Sequence, residues 1–387
     1  MKQAQINKIE WKEIVLGEIF EFENKTGIKA GEGLEEGKYK FFTSSDNQSK
    51  FLDKFNFNGE HLIFSTGGKA GLHYCNEPFS VSNDCFNVKV KSHSTNFVYY
   101  LLRSKIYLLE RGFKGAGLKH LSKDYLKKIK VKLPFSNGSP DLKEQERIVS
   151  ILERAEKQKE KSKKAEKLLD EYLKSVFNEM FYNYLKNKKD YKKLIEFVPN
   201  DKNAIKAGPF GSSLKKDCYV PKGYKIYGQE QVIRDDLNFG DYYISQEKYE
   251  ELKNYQVKEG DILISLVGTY GKISIVPKNF ERGIINPRLM KITLDNQKMI
   301  PTFFKYLFNS DAVKKELANS SHGGTMDIVN VGIIKNIGFP LPPLPLQQKF
   351  ASIVEHVDKM KENVNKTKLN AEELFNSLMS KAFRGEL

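Results

Sequence analysis

The sequence predicts an α+β protein in which two β-rich modules alternate with two long helices, the second half repeating the plan of the first. Three observations carry this. Leu142–Phe181 overlays Leu344–Phe383 at a constant offset of 202 residues, placing Gln145 on Gln347, Ser150 on Ser352, Glu153 on Glu355 and Phe181 on Phe383. Each of these helical segments follows a longer, turn-rich stretch that ends in prolines. The chain has 387 residues, of which 40% are hydrophobic, enough for two or more cored domains.

Residues 1–135 read as a compact module of short strands and loops. Val88–Val90 and Ile129–Leu133 alternate or run apolar as strands do, and Leu62–Ser65 leads into the glycine turn Gly67–Gly68. Phe97–Leu109 is its clear helical pattern. Residues 134–140, rich in turn formers, read as a linker. Asp141, three residues before Glu144, matches a capping box and opens the first long helix within residues 136–186.

That helix carries a heptad-like stripe that includes Ile148, Leu152, Leu169, Leu173 and Val176, and the second helix, in residues 344–387, repeats it with Phe350, Val354, Val357, Phe375 and Leu378. The ends of the first stripe are apolar, while Glu156–Lys164 is almost entirely polar. Such a stripe predicts that the helices pack on each other as a coiled coil more readily than into a globular core. Helix one delivers the chain to module two and helix two starts at its end, so packing predicts an antiparallel pair with pseudo-two-fold symmetry. At about 1.5 Å per residue, about 40 residues span roughly 60 Å. Two heads on a rod of that length would make a caliper.

Residues 187–343 form the second β-rich module. Ile262–Val267 and Ile273–Val276 read as strands around the loop Gly268–Lys272, and Pro301–Ser310 is a short amphipathic helix. Gly115–Pro134 matches Gly323–Pro342 at an offset of 208, so the modules are diverged copies as well.

The formal charge of +15 points to a polyanionic partner, nucleic acid first and an anionic membrane second. Against the membrane, no apolar run approaches ~18 residues, and neither a secretory signal nor a lipidation motif is evident. Cys75, Cys85 and Cys218 lack metal-ligand spacing and cannot all pair, which predicts a reducing, cytoplasmic setting.

Several loops suit DNA contact. In module two, Lys206, Ser212 and Ser213 flank a stretch of small residues whose backbone N–H groups can approach phosphates. Gln229 and Gln231 are able to read adenine edges bidentately. Thr269, Tyr270 and Lys272 belong to a glycine loop whose counterpart in module one carries Lys69, and neither loop fits the nucleotide P-loop pattern. Asn286 and Arg288 lie at the place equivalent to Asn83, and Arg288 is a candidate for guanine or phosphate. Lys114, Lys119 and His120 correspond to His322 and Thr325. Taken singly, each segment also suits an ordinary turn or a structural ion pair. Searches for catalytic patterns find no H-E-x-x-H, no Cys-x-x-Cys, no G-x-S-x-G and no adenine-methyltransferase pocket.

The run Leu341–Val354, with Leu341, Pro342, Pro343, Leu344 and Gln347 in the order Leu-Pro-Pro-Leu-x-x-Gln, resembles the entry into the spacer helix of type I restriction-modification specificity subunits. Gly208–Ser213, Gly260–Ser265 and Asn286–Arg288 also resemble recurrent segments of their target-recognition domains. The resemblance covers nearly the whole chain. It implies a non-catalytic subunit that binds double-stranded DNA, each recognition domain reading one half of a bipartite site and the helices setting the gap. It implies docking of two methyltransferase subunits, which carry S-adenosylmethionine, and of restriction subunits, which use ATP and Mg, with no cofactor on this chain. Module one departs from the pattern: Thr43, Ser44 and Ser45 stand where module two has its Gly-Gln-Glu-Gln stretch, and Asn83 lacks the following arginine. Other readings of the same residues are a single-chain enzyme, an RNA-binding or scaffolding protein, and a specificity-like subunit of another defence or regulatory complex.

Overall fold

The computed structural model describes residues 9–45, 47–115, 119–267, 271–320 and 331–387, the side chains of 318–320 excepted. Its contacts divide the chain into two units, Met1–Lys164 with Asn365–Leu387, and Ala165–Val364. Each unit therefore holds one β-rich module and one half of each long helix.

In the first unit a four-stranded antiparallel sheet runs in the order Phe20–Phe22, Cys85–Val90, His61–Ser65, Leu72–Cys75. A second sheet orders Lys50–Leu52, Tyr39–Phe42 and Phe79–Val81, the last two parallel. All five residues of His61–Ser65 are buried, because the strand is covered on both faces. Leu62 and Phe64 face a core shared with Phe97 and Leu101 of the helix Thr95–Ser104, while Ile63 joins Cys75, Phe79 and Val81 on the other side.

The second unit repeats this plan. Its antiparallel sheet runs Ile205–Ala207, Leu289–Ile292, Ile262–Ser265, Ile273–Ile275, and Tyr224–Tyr227 pairs in parallel with Gly283–Ile285 in the neighbouring sheet. Ile262 and Ile264 face Phe303 and Phe304 of the helix Pro301–Asn309, and Leu263 turns to the opposite core. The same strand order with the same parallel pair establishes the internal repeat at the level of topology.

The long helices are Leu142–Lys186 and Leu344–Ala382. As the capping pattern predicts, the Asp141 carboxylate accepts the Glu144 N–H at 3.0 Å. Within the first unit the helices are antiparallel, with Arg147 donating to the Leu387 carbonyl and Lys159 pairing with Glu372 at 3.5 Å. Within the second unit Phe181 packs on Phe350, while Asp170 further back along its helix pairs with Lys361 further along the other. The stripe does more than join helix to helix. Ile148, Leu152, Phe375 and Leu378 enter the first core, and Leu169, Leu173, Val176, Phe350, Val354 and Val357 enter the second. The stripe fits a coiled coil more readily than a globular core by its spacing alone, yet its apolar ends are also walls of the two cores.

The repeated glutamines explain themselves here. Gln145 and Gln347 are fully buried. Gln145 Oε1 accepts the N–H of Ser94, the N-cap of Thr95–Ser104, while its Nε2 meets His93 Nδ1, both at 2.9 Å. Gln347 Oε1 accepts the N–H of Ile300, the N-cap of Pro301–Asn309, and its Nε2 donates to the carbonyls of Lys298 and Pro342. Each glutamine ties the start of a short helix to a long one. Residues 134–140 also differ from expectation. They form a hairpin, Lys130–Ser136 with Ser139–Pro140, whose turn residues Asn137 and Gly138 take φ of 53° and 82°. Two successive positive φ values are what a tight two-residue hairpin turn requires.

Candidate nucleic-acid interface

In the first unit four of the expected loops converge beyond one end of the strand His61–Ser65. The carbonyl of Asp84 accepts the hydroxyls of Ser44 and of Thr66, the latter at 2.7 Å, and the Thr66 N–H at 3.0 Å. Leu121 N–H donates to the Thr66 carbonyl, and Gly67 pairs with His120 as a bridge. His120 in turn faces Lys114 across a two-stranded ribbon. Lys69, Lys114, Lys119 and His120 are exposed on this surface, as is Ser45, whose carbonyl meets His73 Nε2 at 3.1 Å. Thr43 and Ser44 are half-buried. Asn83 Oδ1 accepts the Gly27 N–H at 2.9 Å, so its amide braces the neighbouring loop as well as lying near the surface.

The glycines here have defined roles. Gly68 has φ of 80°, the left-handed region. A Cβ on Gly71 would lie 2.2 Å from Ser65 Oγ, so any larger residue there would have to displace the Ser65 hydroxyl.

In the second unit the loop after Ile205–Ala207 leans on the turn Asn286–Arg288. Gly208 N–H donates to the Leu289 carbonyl at 2.8 Å, and a Cβ on Gly208 would lie 1.8 Å from the Asn286 oxygen. Asn286 Oδ1 accepts the Arg288 N–H at 2.9 Å, and the Asn286 N–H donates to Tyr227. Arg288 is exposed at the tip of this turn. Gln229 Nε2 donates to the Val267 carbonyl, linking the glutamine stretch to the edge of the glycine loop. Lys272 is exposed where that loop rejoins its strand, and its carbonyl accepts the Ser265 N–H at 2.9 Å. Ser212 is exposed and Ser213 half-buried in a single 3₁₀ turn.

Two of the expected residues are less open than the sequence suggests. Gln231 is 3% exposed, with Oε1 accepting the Gly228 N–H at 3.0 Å and Nε2 reaching the Ile226 carbonyl at 3.3 Å. Both ends of its amide are thus engaged within the protein, and the buried side chain forms part of the wall of a groove beside the Asn286 turn. Lys206 lies on the strand Ile205–Ala207, not in the loop, and its ammonium sits 5.3 Å from the centre of the Tyr255 ring. Thr269, Tyr270, His322 and Thr325 lie outside the described residues.

Beside the Asn286 turn opens a groove of about 1170 Å³, lined by Lys216, Gln229, Arg234, Phe239, Tyr242 and Arg288 among others. Sequence reading missed Lys216, Arg234, Phe239 and Tyr242, which come from separate segments and share no motif. Arg234 lies 4.2 Å from the Phe239 ring centre, a cation held over an aromatic face at the mouth of the groove. Among the described residues no group of three or more His, Cys, Asp or Glu is placed to hold a metal ion, and no helix is long and apolar enough to cross a membrane.

Comparison with known proteins matches residues 8–171 and 176–373 to the family model of the type I restriction modification DNA specificity domain. The chain is 22% identical over 408 residues to the type I restriction enzyme MjaVIII specificity subunit of Methanocaldococcus jannaschii, covering 98% of this chain and 93% of that protein. It is 25% identical over 341 residues to the EcoBI specificity subunit of Escherichia coli, covering 81% and 70%. A crystal structure of the S subunit of a type I restriction-modification system from M. genitalium superposes with a TM-score of 0.61 at 16% identity over 98% of both chains.

Proposed function

This chain belongs to the type I restriction-modification DNA specificity family, and from that premise we propose that it is the non-catalytic subunit that chooses where a type I complex acts. It is a DNA-recognition protein with two specificity domains, a number that fits a bipartite target. Each domain would read one half-site, with unspecified bases between. The observation that carries this reading is the repeat itself: each unit sets exposed basic side chains and a polar turn beyond one end of the same strand.

The division of labour follows from chemistry. Exposed lysines such as Lys69, Lys114 and Lys272 meet phosphates, which fixes position without reading sequence. Arg288 and Gln229 stand at the rim of a groove where base edges are within the reach of planar, bidentate groups. Gln231 and Asn286 act behind them by holding the backbone of these loops.

The partners of the proposal are double-stranded DNA, two methyltransferase subunits supplying the S-adenosylmethionine site, and restriction subunits using ATP and Mg, all in the cytoplasm. The relatives are subunits of restriction enzymes by name, which supports partners of this kind. The test is to map DNA methylation in cells that co-express this chain with its methyltransferase. N6-methyladenine confined to a split motif with a fixed gap is the expected result. A folded complex that leaves DNA unmethylated would replace this reading with a specificity-like subunit of another defence or regulatory complex.

A further inference from the structure

Phe210 is 84% exposed, the most exposed large apolar side chain among the described residues. The loop that carries it is nonetheless anchored on both sides. Gly208 is pressed against the Asn286 carbonyl, Pro209 is buried, and Leu214 is 5% exposed within a core. Between these anchors the Ser213 N–H donates to the Phe210 carbonyl at 2.8 Å and closes a turn. A ring held out in water contributes nothing to folding, so a braced loop that displays one calls for an apolar surface to receive it.

The surroundings say what kind of surface. Exposed Ser212 lies two residues after the ring, exposed Lys215 and Lys216 come soon after with Asp217 beside them, and exposed Arg288 belongs to the turn against which Gly208 rests. Hydroxyls and cations around an apolar ring match a partner with an anionic backbone and flat apolar faces stacked inside it. We propose that Phe210 is an apolar wedge that the second domain sets against the face of a base, unstacking one step of the half-site it reads. This rests on the DNA-recognition reading of the same surface. In the first unit the segment after the equivalent strand, residues 23–28, carries no aromatic residue. The deformation therefore belongs to one half-site only.

The experiment uses the full chain assembled with its methyltransferase, and duplexes carrying the split motif found by methylation mapping. 2-Aminopurine replaces each adenine of the motif in turn, except the adenine that is methylated. With the wild-type chain one position in the second domain's half-site should brighten on binding, and none in the other half. Phe210→Ala should abolish that signal and weaken binding by about tenfold, while Phe210→Leu, still apolar, keeps part of both. The wedge is refuted if no position brightens with the wild-type chain, or if Phe210→Ala brightens it equally. Loss of the methyltransferase from purified Phe210→Ala complexes, with an unchanged signal in those that remain, would assign the ring to a protein contact instead. Failure of the wild-type complex to bind the motif would remove the recognition reading, and the wedge with it.

Discussion

Asn87 shows how far two copies of one fold diverge at a single position. It pairs with Ile63 across the central strands, is 5% exposed, and neither Oδ1 nor Nδ2 has a hydrogen-bond partner among the described residues. The same register position in the second unit holds Lys291, opposite Leu263, with its ammonium 3.6 Å from the fully buried Asp261 carboxylate. Burial pushes the Lys291 ammonium below its usual range, and Asp261 opposes that shift. Asp261 also accepts from Thr293 Oγ1 and from the Lys258 N–H, so the charged copy is well satisfied. The neutral copy is not. An unpartnered buried amide bears its desolvation cost, and replacement by an apolar group of the same shape removes it. Asn87→Leu should therefore stabilise the first unit by about 1 kcal/mol, raising its thermal midpoint by about 2–4 °C. A fall in the midpoint would mean that the amide holds an ordered solvent network.

At the scale of elements, the long helices are fastened by groups that are polar and deeply buried. Removing the Gln347 amide strands the Ile300 N–H and the Lys298 and Pro342 carbonyls at once. Gln347→Ala should cost about 1–3 kcal/mol and loosen Pro301–Asn309, read as faster amide exchange along that helix; unchanged exchange would contradict the fastening role. Gln145 makes the parallel contact to His93, whose pKa burial lowers. Because Gln145 Oε1 already accepts from Ser94, its Nε2 donates to an unprotonated Nδ1. The unfolded chain takes up a proton on His93 near pH 6.5 while the folded chain resists, so stability contributed by this site is intact above about pH 6.5 and declines as pH falls below it. His93→Gln should flatten that decline in thermal melts across pH 5 to 7, whereas an unaltered slope would assign the pH dependence elsewhere.

For the molecule as a whole, two recognition units in one chain make a separable pair of readouts. Arg288→Ala should relax base preference in one half of the split motif, costing about 1–3 kcal/mol for the correct base, and leave the other half as it was. Lys272→Ala should behave differently, weakening binding to all sequences and lowering the salt slope by about 1. Methylation mapping of the two variants, with binding measured over a salt series, separates the roles. A Lys272 variant that altered base preference alone would exchange the assignments made here.

The chain by itself determined the duplication, the presence of two long helices, the cap at Asp141 and the charge that calls for a polyanion. These are written in local periods, spacings and composition, which a sequence displays directly. It misread residues 134–140, because turn formers mark a turn without saying whether the chain then pairs back on itself. Nor does a glutamine's type reveal that both ends of the Gln231 amide are engaged inside the protein. Phe210 shows the reverse failure: only the anchored loop around it makes its exposure informative. What the tertiary structure alone decided is which distant segments meet. The groove beside Arg288 is assembled from residues as far apart as Lys216 and Arg288, and each core takes half of two helices whose starts lie some 200 residues apart. Such meetings are fixed by burial and hydrogen bonding across the whole fold, and leave no local pattern in the chain.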